Sequence, residues 1–324
     1  MFPLGKRIDI LGLGAVAVDD FIYVDAYPAP DAKARVLRRE RYCGGLTAIA
    51  SVAASRLGAR CAYAGVLGHD ELSCFAAEFL RREKIDLSWM KRMGSARPIC
   101  SNIVVDPRRG TRNIFFDVEH ATGAPMSVPA SLIGSCRVLF IDHLGVPGMI
   151  RAARLARRAS VPIVADFESD DHPRFRELLA LTDHLIVSQE FAKKLTGKRS
   201  AEQAVRALAG PAHEVVVVTC GDKGFWYSNR GMIAPKHQCA FKVEATDTTG
   251  CGDVFHGAYA FGLSRNLPLE ERLGLASAAA ALKASRGAGP DGIPSLQMVR
   301  RFLRFHQEPR SGSRSKPQAG WPEY

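Results

Sequence analysis

No run of about 18 uninterrupted apolar residues occurs in this 324-residue chain, so an ordinary membrane-spanning helix is excluded. The opening Met1–Arg7 lacks the apolar core and cleavage site of a secretory signal. The eight cysteines, at 43, 61, 74, 100, 136, 220, 239 and 251, include no CxxC pair and no Cys/His cluster with zinc spacing. Free thiols in the reducing cytoplasm are the simplest expectation. No GxxxxGK[ST] occurs, which excludes a P-loop nucleotidase. Aromatic-interleaved basic strands and helix-turn-helix signatures are missing too. The net charge of +11 is therefore read as a solvated basic surface suited to small anions, with no nucleic-acid and no membrane partner. Residues 300–324 carry six Lys/Arg and two acids, which leaves +7 on the rest.

What is present is an alternation. Short β-rich apolar runs occur at Ile8–Leu13, Cys61–Leu67, Arg137–Asp142, Val161–Phe167, His184–Ser188 and Glu214–Cys220. Most are continuously apolar, as in parallel strands covered on both faces. Helical spacing links Leu46, Ile49, Ala50, Ala53 and Leu57, and again Leu72, Phe75, Ala76 and Phe79. The alternation predicts an α/β fold with a doubly wound, mostly parallel sheet flanked by helices. Two stretches break the rhythm, at about 20–42 and 98–118. The second reads as a hairpin, with Ile99–Val105 and Thr111–Asp117 joined by the turn Asp106–Gly110. We read them as a small β-strand lid. One domain is expected over 1–306, with helix over Val254–Ser285 and Ser295–Phe305. A basic, disordered tail is expected over 307–324.

The sharpest feature is Asp247-Thr248-Thr249-Gly250-Cys251-Gly252-Asp253 at the head of a long apolar helix. Small residues let backbone N–H groups point outward at the helix start. With the helix dipole these donors form an anion site. An Asp placed there is costly unless it accepts a proton from a hydroxyl attacking the bound phosphate. The plain alternative is that Asp253 only caps the helix. A nucleophilic Cys251, its thiol activated at the helix N-terminus, is a further alternative.

The run resembles the Asp-Thr-x-Gly-Ala-Gly-Asp signature of the ribokinase-like (PfkB) carbohydrate kinases, with Cys251 in place of Ala. The resemblance extends from Ile8 to about Phe305. Cys43-Gly44-Gly45 looks like the family's N-terminal Gly-Gly motif. Gly65–Asp70 looks like its Val-Gly-x-Asp turn, and Thr219–Gly224 like the loop bordering the nucleotide. The resemblance implies ATP-dependent phosphorylation of a sugar-like hydroxyl with Mg²⁺. It implies Asp253 as base and Gly250, Cys251 and Gly252 as the nest. Asp19, Gly44, Gly45, Lys33 and Arg112 would face the substrate. Ser188, Thr219, Gly221, Gly224, Thr249, Gly287 and Ala288 would face ATP. Asp247 and Thr249, with the Ser285–Ala288 backbone, would hold a monovalent cation such as K⁺. Glu190 would serve Mg²⁺.

Several positions depart from the family pattern. Ile49 stands where many sugar kinases place a hydroxyl-binding Asn, and Leu46 fills another commonly polar position. Ser188-Gln189-Glu190-Phe191 replaces the usual Asn-x-x-Glu. The Gly12–Pro28 run and the Val187–Leu195 segment are similar to ketohexokinase. Asp247–Ala258 and Ala281–Pro294 are similar to sulfofructose kinases. The substrate implied is a ketose. Lys33, Arg35, Arg38, Arg39, Arg41, Arg108, Arg109 and Arg112 crowd the lid, which suits either an anionic substrate or a charged edge that resists strand pairing. Leu144 stands where an anion-binding Arg is expected. A nucleoside kinase of the same fold and a non-catalytic ATP/sugar-binding relative are the alternatives. A homodimer through the lid is a further expectation. The Gly12-Leu13-Gly14-Ala15-Val16-Ala17 match to a dinucleotide fingerprint is discounted, because Val18–Val24 reads as strand where that fingerprint needs a helix.

Overall fold

A computed structural model describes residues 8–287 and 289–307. In chain order the first half holds β1 (Ile8–Leu13), β2 (Ala17–Val24), β3 (Val36–Gly44), α1 (Leu46–Arg56), β4 (Cys61–Tyr63), β5 (Val66–Leu67), α2 (Glu71–Arg82), β6 (Lys91–Arg92), β7 (Ile99–Asp106), β8 (Thr111–Asp117), α3 (Ala130–Ser135), β9 (Cys136–Ile141) and α4 (Val146–Arg158). The second half holds β10 (Ile163–Asp166), α5 (Phe175–Leu179), β11 (His184–Ser188), α6 (Gln189–Thr196), α7 (Ala201–Leu208), β12 (Val215–Thr219), β13 (Phe225–Asn229), β14 (Lys236–Gln238), α8 (Cys251–Ser264), α9 (Leu269–Ala284) and α10 (Leu296–Gln307).

The main sheet has the order β14-β13-β12-β11-β10-β9-β1-β4. The six strands β12, β11, β10, β9, β1 and β4 run parallel; β13 is antiparallel to β12, and β14 to β13. Alternate side chains feed two cores. Ile10, Val215 and Val217 pack under α1, α8 and α9, whereas Leu11, Leu13, Val216 and Val218 pack under α4 to α7. Burial on both faces is why these strands read as unbroken apolar runs. On the α8 side the helices approach closely: a β-carbon on Gly257 would lie 2.1 Å from the Ala50 carbonyl oxygen. That contact sets α8, and the loop before it, against α1.

The lid is a separate four-stranded sheet, order β3-β2-β7-β8, over a small core of Phe21, Tyr23 and Ile103. Its hairpin follows the expected register, with Asp106 paired to Thr111. No helix follows Gly14; β2 does, which removes the structural basis of the dinucleotide fingerprint.

Two expectations fail. The Cys61–Leu67 run is two strands, β4 in the main sheet and β5 paired with β6 in a separate two-stranded sheet, parted at Ala64-Gly65. The continuous helix over Val254–Ser285 is two helices, α8 and α9, broken at Arg265–Pro268. Asn266 adopts φ 57°, and Pro268 has no N–H to continue the ladder. At the C-terminus α10 runs to Gln307. The remainder of the tail expected to be disordered lies outside the described residues.

Candidate active site

Gly250 caps α8 in the left-handed conformation, φ 75°, which a residue with a β-carbon adopts only with strain. This turn leaves the Gly252 and Asp253 amides of α8 to point outward, while the flanking amides are bonded. Cys251 N is bonded to Thr248 O, and Val254 N to Gly250 O. Nothing lies within 4 Å of a β-carbon built on Gly252, so a ligand can approach the backbone there. Asp253 is the third residue of α8. It lines a cavity with Asp19, Phe21, Tyr42, Gly44 and Gly45 from the lid side, Ile49 from α1, and Thr249, Gly250 and Lys283.

Asp253 is held well above the ordinary carboxylate range, first by burial, then by the neighbouring charges of Asp166 and Glu168. Asp19 is also raised, mainly by burial, against a hydrogen bond from Ser101. Behind Asp253, His256 anchors α8 to the sheet. Its Nδ1 lies 2.7 Å from Gly252 O and 3.2 Å from Asp166 Oδ2, and its Nε2 lies 2.9 Å from Ile186 O. A second buried carboxylate, Asp142, follows β9. It accepts from Ala15 N at 2.5 Å, Thr47 Oγ1 at 2.8 Å and Leu144 N at 2.8 Å. These bonds join the end of β9 to the β1–β2 link and the start of α1, and so seat the Gly44-Gly45 turn.

The structure thus brings together Asp19, Gly44, Gly45, Thr249, Gly250 and Asp253, which are far apart in the chain. Arg112, on β8, is exposed, yet it lies near enough for its charge to act on the Cys251 thiol. The thiol itself is pushed up to about 11, chiefly by burial, with Lys283 opposing. A thiol raised in this way is not a nucleophile at neutral pH, so the alternative role for Cys251 is set aside.

Other expected residues lie elsewhere. Ser188 caps α6 and accepts from Phe191 N at 3.2 Å; it pairs across β11–β12 with Thr219. Gly221 and Gly224, at φ 60° and 89°, shape the turn after β12. Glu190 is exposed in the first turn of α6. Lys33 is exposed in the loop between β2 and β3, away from the cavity lining. Ala288 lies outside the described residues. Half of the eight lid cations are paired: Arg38 with Glu40, Arg41 with Asp20 and Glu71, Arg108 with Asp25, and Arg109 with Asp106. Gly287 turns at φ 93° and its carbonyl accepts from Lys283 Nζ at 3.1 Å. Lys283 was not anticipated. The available signal was one charged residue inside the small-residue run Ala276–Ala284.

A doubly wound sheet, a β lid over its edge and a carboxylate at the head of a glycine-capped helix define a ribokinase-like small-molecule kinase. The pfkB family carbohydrate kinase profile matches residues 9–295, and the chain belongs to that family. It is similar to the ribokinase of Haemophilus influenzae, 26% identical over 304 residues, covering 90% of this chain and 97% of that one. It is also similar to the 5-dehydro-2-deoxygluconokinase of Shouchella clausii, 23% identical over 327 residues, covering 93% and 97%. In three dimensions it resembles the Arabidopsis thaliana ribokinase complexed with ribose and ATP. The TM-score is 0.82 at 21% identity, over 92% of this chain and 99% of that one.

Proposed function

We propose that this carbohydrate kinase transfers the γ-phosphoryl group of ATP to a hydroxyl of a small ketose-like sugar, with Asp253 as the general base. The observation that carries the reading is the shared cavity in which Asp253 at the head of α8 faces Asp19 on the lid strand β2. Asp19 and the Gly44-Gly45 turn bind sugar hydroxyls. Asp253 takes the proton of the acceptor hydroxyl. The acceptor's hydroxyl oxygen then forms a bond to the γ-phosphorus as the bond to the β–γ bridging oxygen breaks, and ADP leaves. The free amides at the start of α8 hold the phosphoryl oxygens in flight. The nucleotide lies along Ser188, Thr219, Gly221, Gly224 and Gly287.

Mg²⁺ would be held mainly by the phosphates of the nucleotide and by water, with Glu190 in the first turn of α6 as the side chain read for it. When bound, that ion neutralises charge on the β- and γ-phosphates. The lid is read as one unit with the domain over 1–306, and it shields the reaction from water. Four of the eight lid cations are paired to carboxylates, and of the others Arg112 is the one whose charge reaches the nest, which makes it the candidate for an anionic group on a substrate. The test is ADP release with Mg-ATP against ketoses, aldoses, nucleosides and sulfonated or phosphorylated sugars. Turnover on a neutral ketose is expected. ATP binding without turnover on any acceptor would leave a non-catalytic relative.

A further inference from the structure

Lys283 is a buried cation in the wall of the active-site cavity. Its side chain is 2% exposed, in the last turn of α9. A buried ammonium needs oxygen partners, and it has two. Its Nζ donates to Asp247 Oδ2 at 3.3 Å and to Gly287 O at 3.1 Å. These oxygens belong to the two segments that border the anion nest: the turn ahead of α8 and the turn after α9. The same segments are tied by main chain. Thr246 N and Asp247 N donate to Ala284 O at 2.8 and 3.2 Å, and Gly287 N donates to Thr246 Oγ1 at 3.0 Å. On its other oxygen Asp247 accepts from Thr249 N at 3.0 Å, immediately before the Gly250 cap. A continuous set of bonds therefore runs from Lys283 through Asp247 to the turn that aims the α8 amides. An ammonium has three donors, so one N–H remains for a group in the cavity that Lys283 lines.

Family resemblance assigns Asp247, Thr249 and the Ser285–Ala288 backbone to a monovalent cation. Asp247 and Gly287 do not fit one here. The Asp247 carboxylate and the Gly287 carbonyl are already occupied by a fixed positive charge, and a second cation beside it would be repelled. We propose that Lys283 is the internal cation of this enzyme. Its ammonium neutralises Asp247 and braces the two turns, so the phosphate nest is organised without potassium. Lys283 is thus a positioning residue. The proposal rests on the kinase reading, but it can be tested without turnover.

The experiment compares melting temperature and affinity for a non-hydrolysable ATP analogue in potassium, sodium and choline chlorides at equal ionic strength. For the wild type both are expected to be the same in all three salts, within about twofold in affinity. The Lys283→Ala protein is expected to bind the analogue at least about tenfold more weakly in choline, and to recover affinity and melting temperature in potassium or methylammonium. Lys283→Arg should retain cation independence. A potassium-specific gain of about fivefold or more in the wild type would overturn the proposal. So would a Lys283→Ala protein that binds normally in choline, or a weak one that no cation restores. If Lys283→Ala does not fold, the wild-type comparison decides alone. Failure of the kinase reading shows separately, as absence of turnover in an enzyme whose analogue binding obeys these expectations.

Discussion

Gly44 and Asp19 fit together by shape: a β-carbon added to Gly44 would lie 2.1 Å from Asp19 Oδ2. The two residues sit on neighbouring strands, with Asp19 opposite Tyr42 and Ala17 opposite Gly44. A side chain at 44 must therefore push the Asp19 carboxylate out of the cavity. Gly44→Ala is expected to raise KM for the sugar by about tenfold or more while KM for ATP changes little, since an interaction with one substrate alone is lost. Steady-state kinetics with each substrate varied in turn would check this. An equal effect on both would show that Asp19 does not serve the sugar.

Replacing Asp253 by Asn should leave ATP binding intact and lower kcat by about 10²–10⁴-fold. The same substitution should not destabilise the fold. The carboxyl pKa is raised on folding, so the native state binds more protons than the unfolded one between the two pKa values, and stability falls as pH rises through that window. Above it, ionised Asp253 is a cost that Asn removes. The variant is expected to melt at or above the wild-type temperature at pH 8, measured by calorimetry. Full turnover by Asp253→Asn would sink its role as base.

The pH profile follows from the same shift. Asp253 must be ionised to accept a proton, so kcat/KM should fall on the acid side through a pKa well above the ordinary value of about 4. Glu168 is exposed and its charge helps to hold that pKa up. Glu168→Gln should move the acid limb toward lower pH. A limb that stays in place, with the wild-type limb near 4, would contradict the electrostatics described for Asp253.

Arg112 is not paired to a carboxylate among the described residues, and its charge reaches Cys251 at the nest. Arg112→Ala should lower kcat/KM by about tenfold if it meets the transferring phosphoryl group, whatever the sugar. If it meets an anionic group on the acceptor, only KM for anionic sugars should rise. No change on either class would make it a surface charge.

Strand β8 is exposed along its whole length, with Phe116 68% exposed and Phe115 54%. An uncovered lid strand carrying aromatic residues invites pairing with a second chain. The expected state is a dimer through the lid, and Phe116→Asp should give monomers by sedimentation while the monomer remains folded by circular dichroism. A monomeric wild type at micromolar concentration would exclude this.

Local chemistry made much of this protein legible from its sequence. Continuous apolar runs mark strands buried on both faces, so β1, β11 and β12 are readable without neighbours. The Asp106–Gly110 turn fixes its own hairpin. Gly250 to Asp253 declares an anion nest because every helix start leaves amides without partners and glycines there let a ligand reach them. Periodicity alone missed the break at Asn266–Pro268, because small and apolar residues continue on both sides of it. Tertiary structure alone decided which distant residues share the cavity. Asp19 meets Asp253 because the lid folds back over the sheet edge, and Lys283 meets Asp247 because α9 returns antiparallel to α8. The same resemblance that assigned Asp247 to a metal ion could not see the ammonium beside it. A charge 36 residues away in sequence becomes a partner only when two helices pack, and that pairing is set by the whole core.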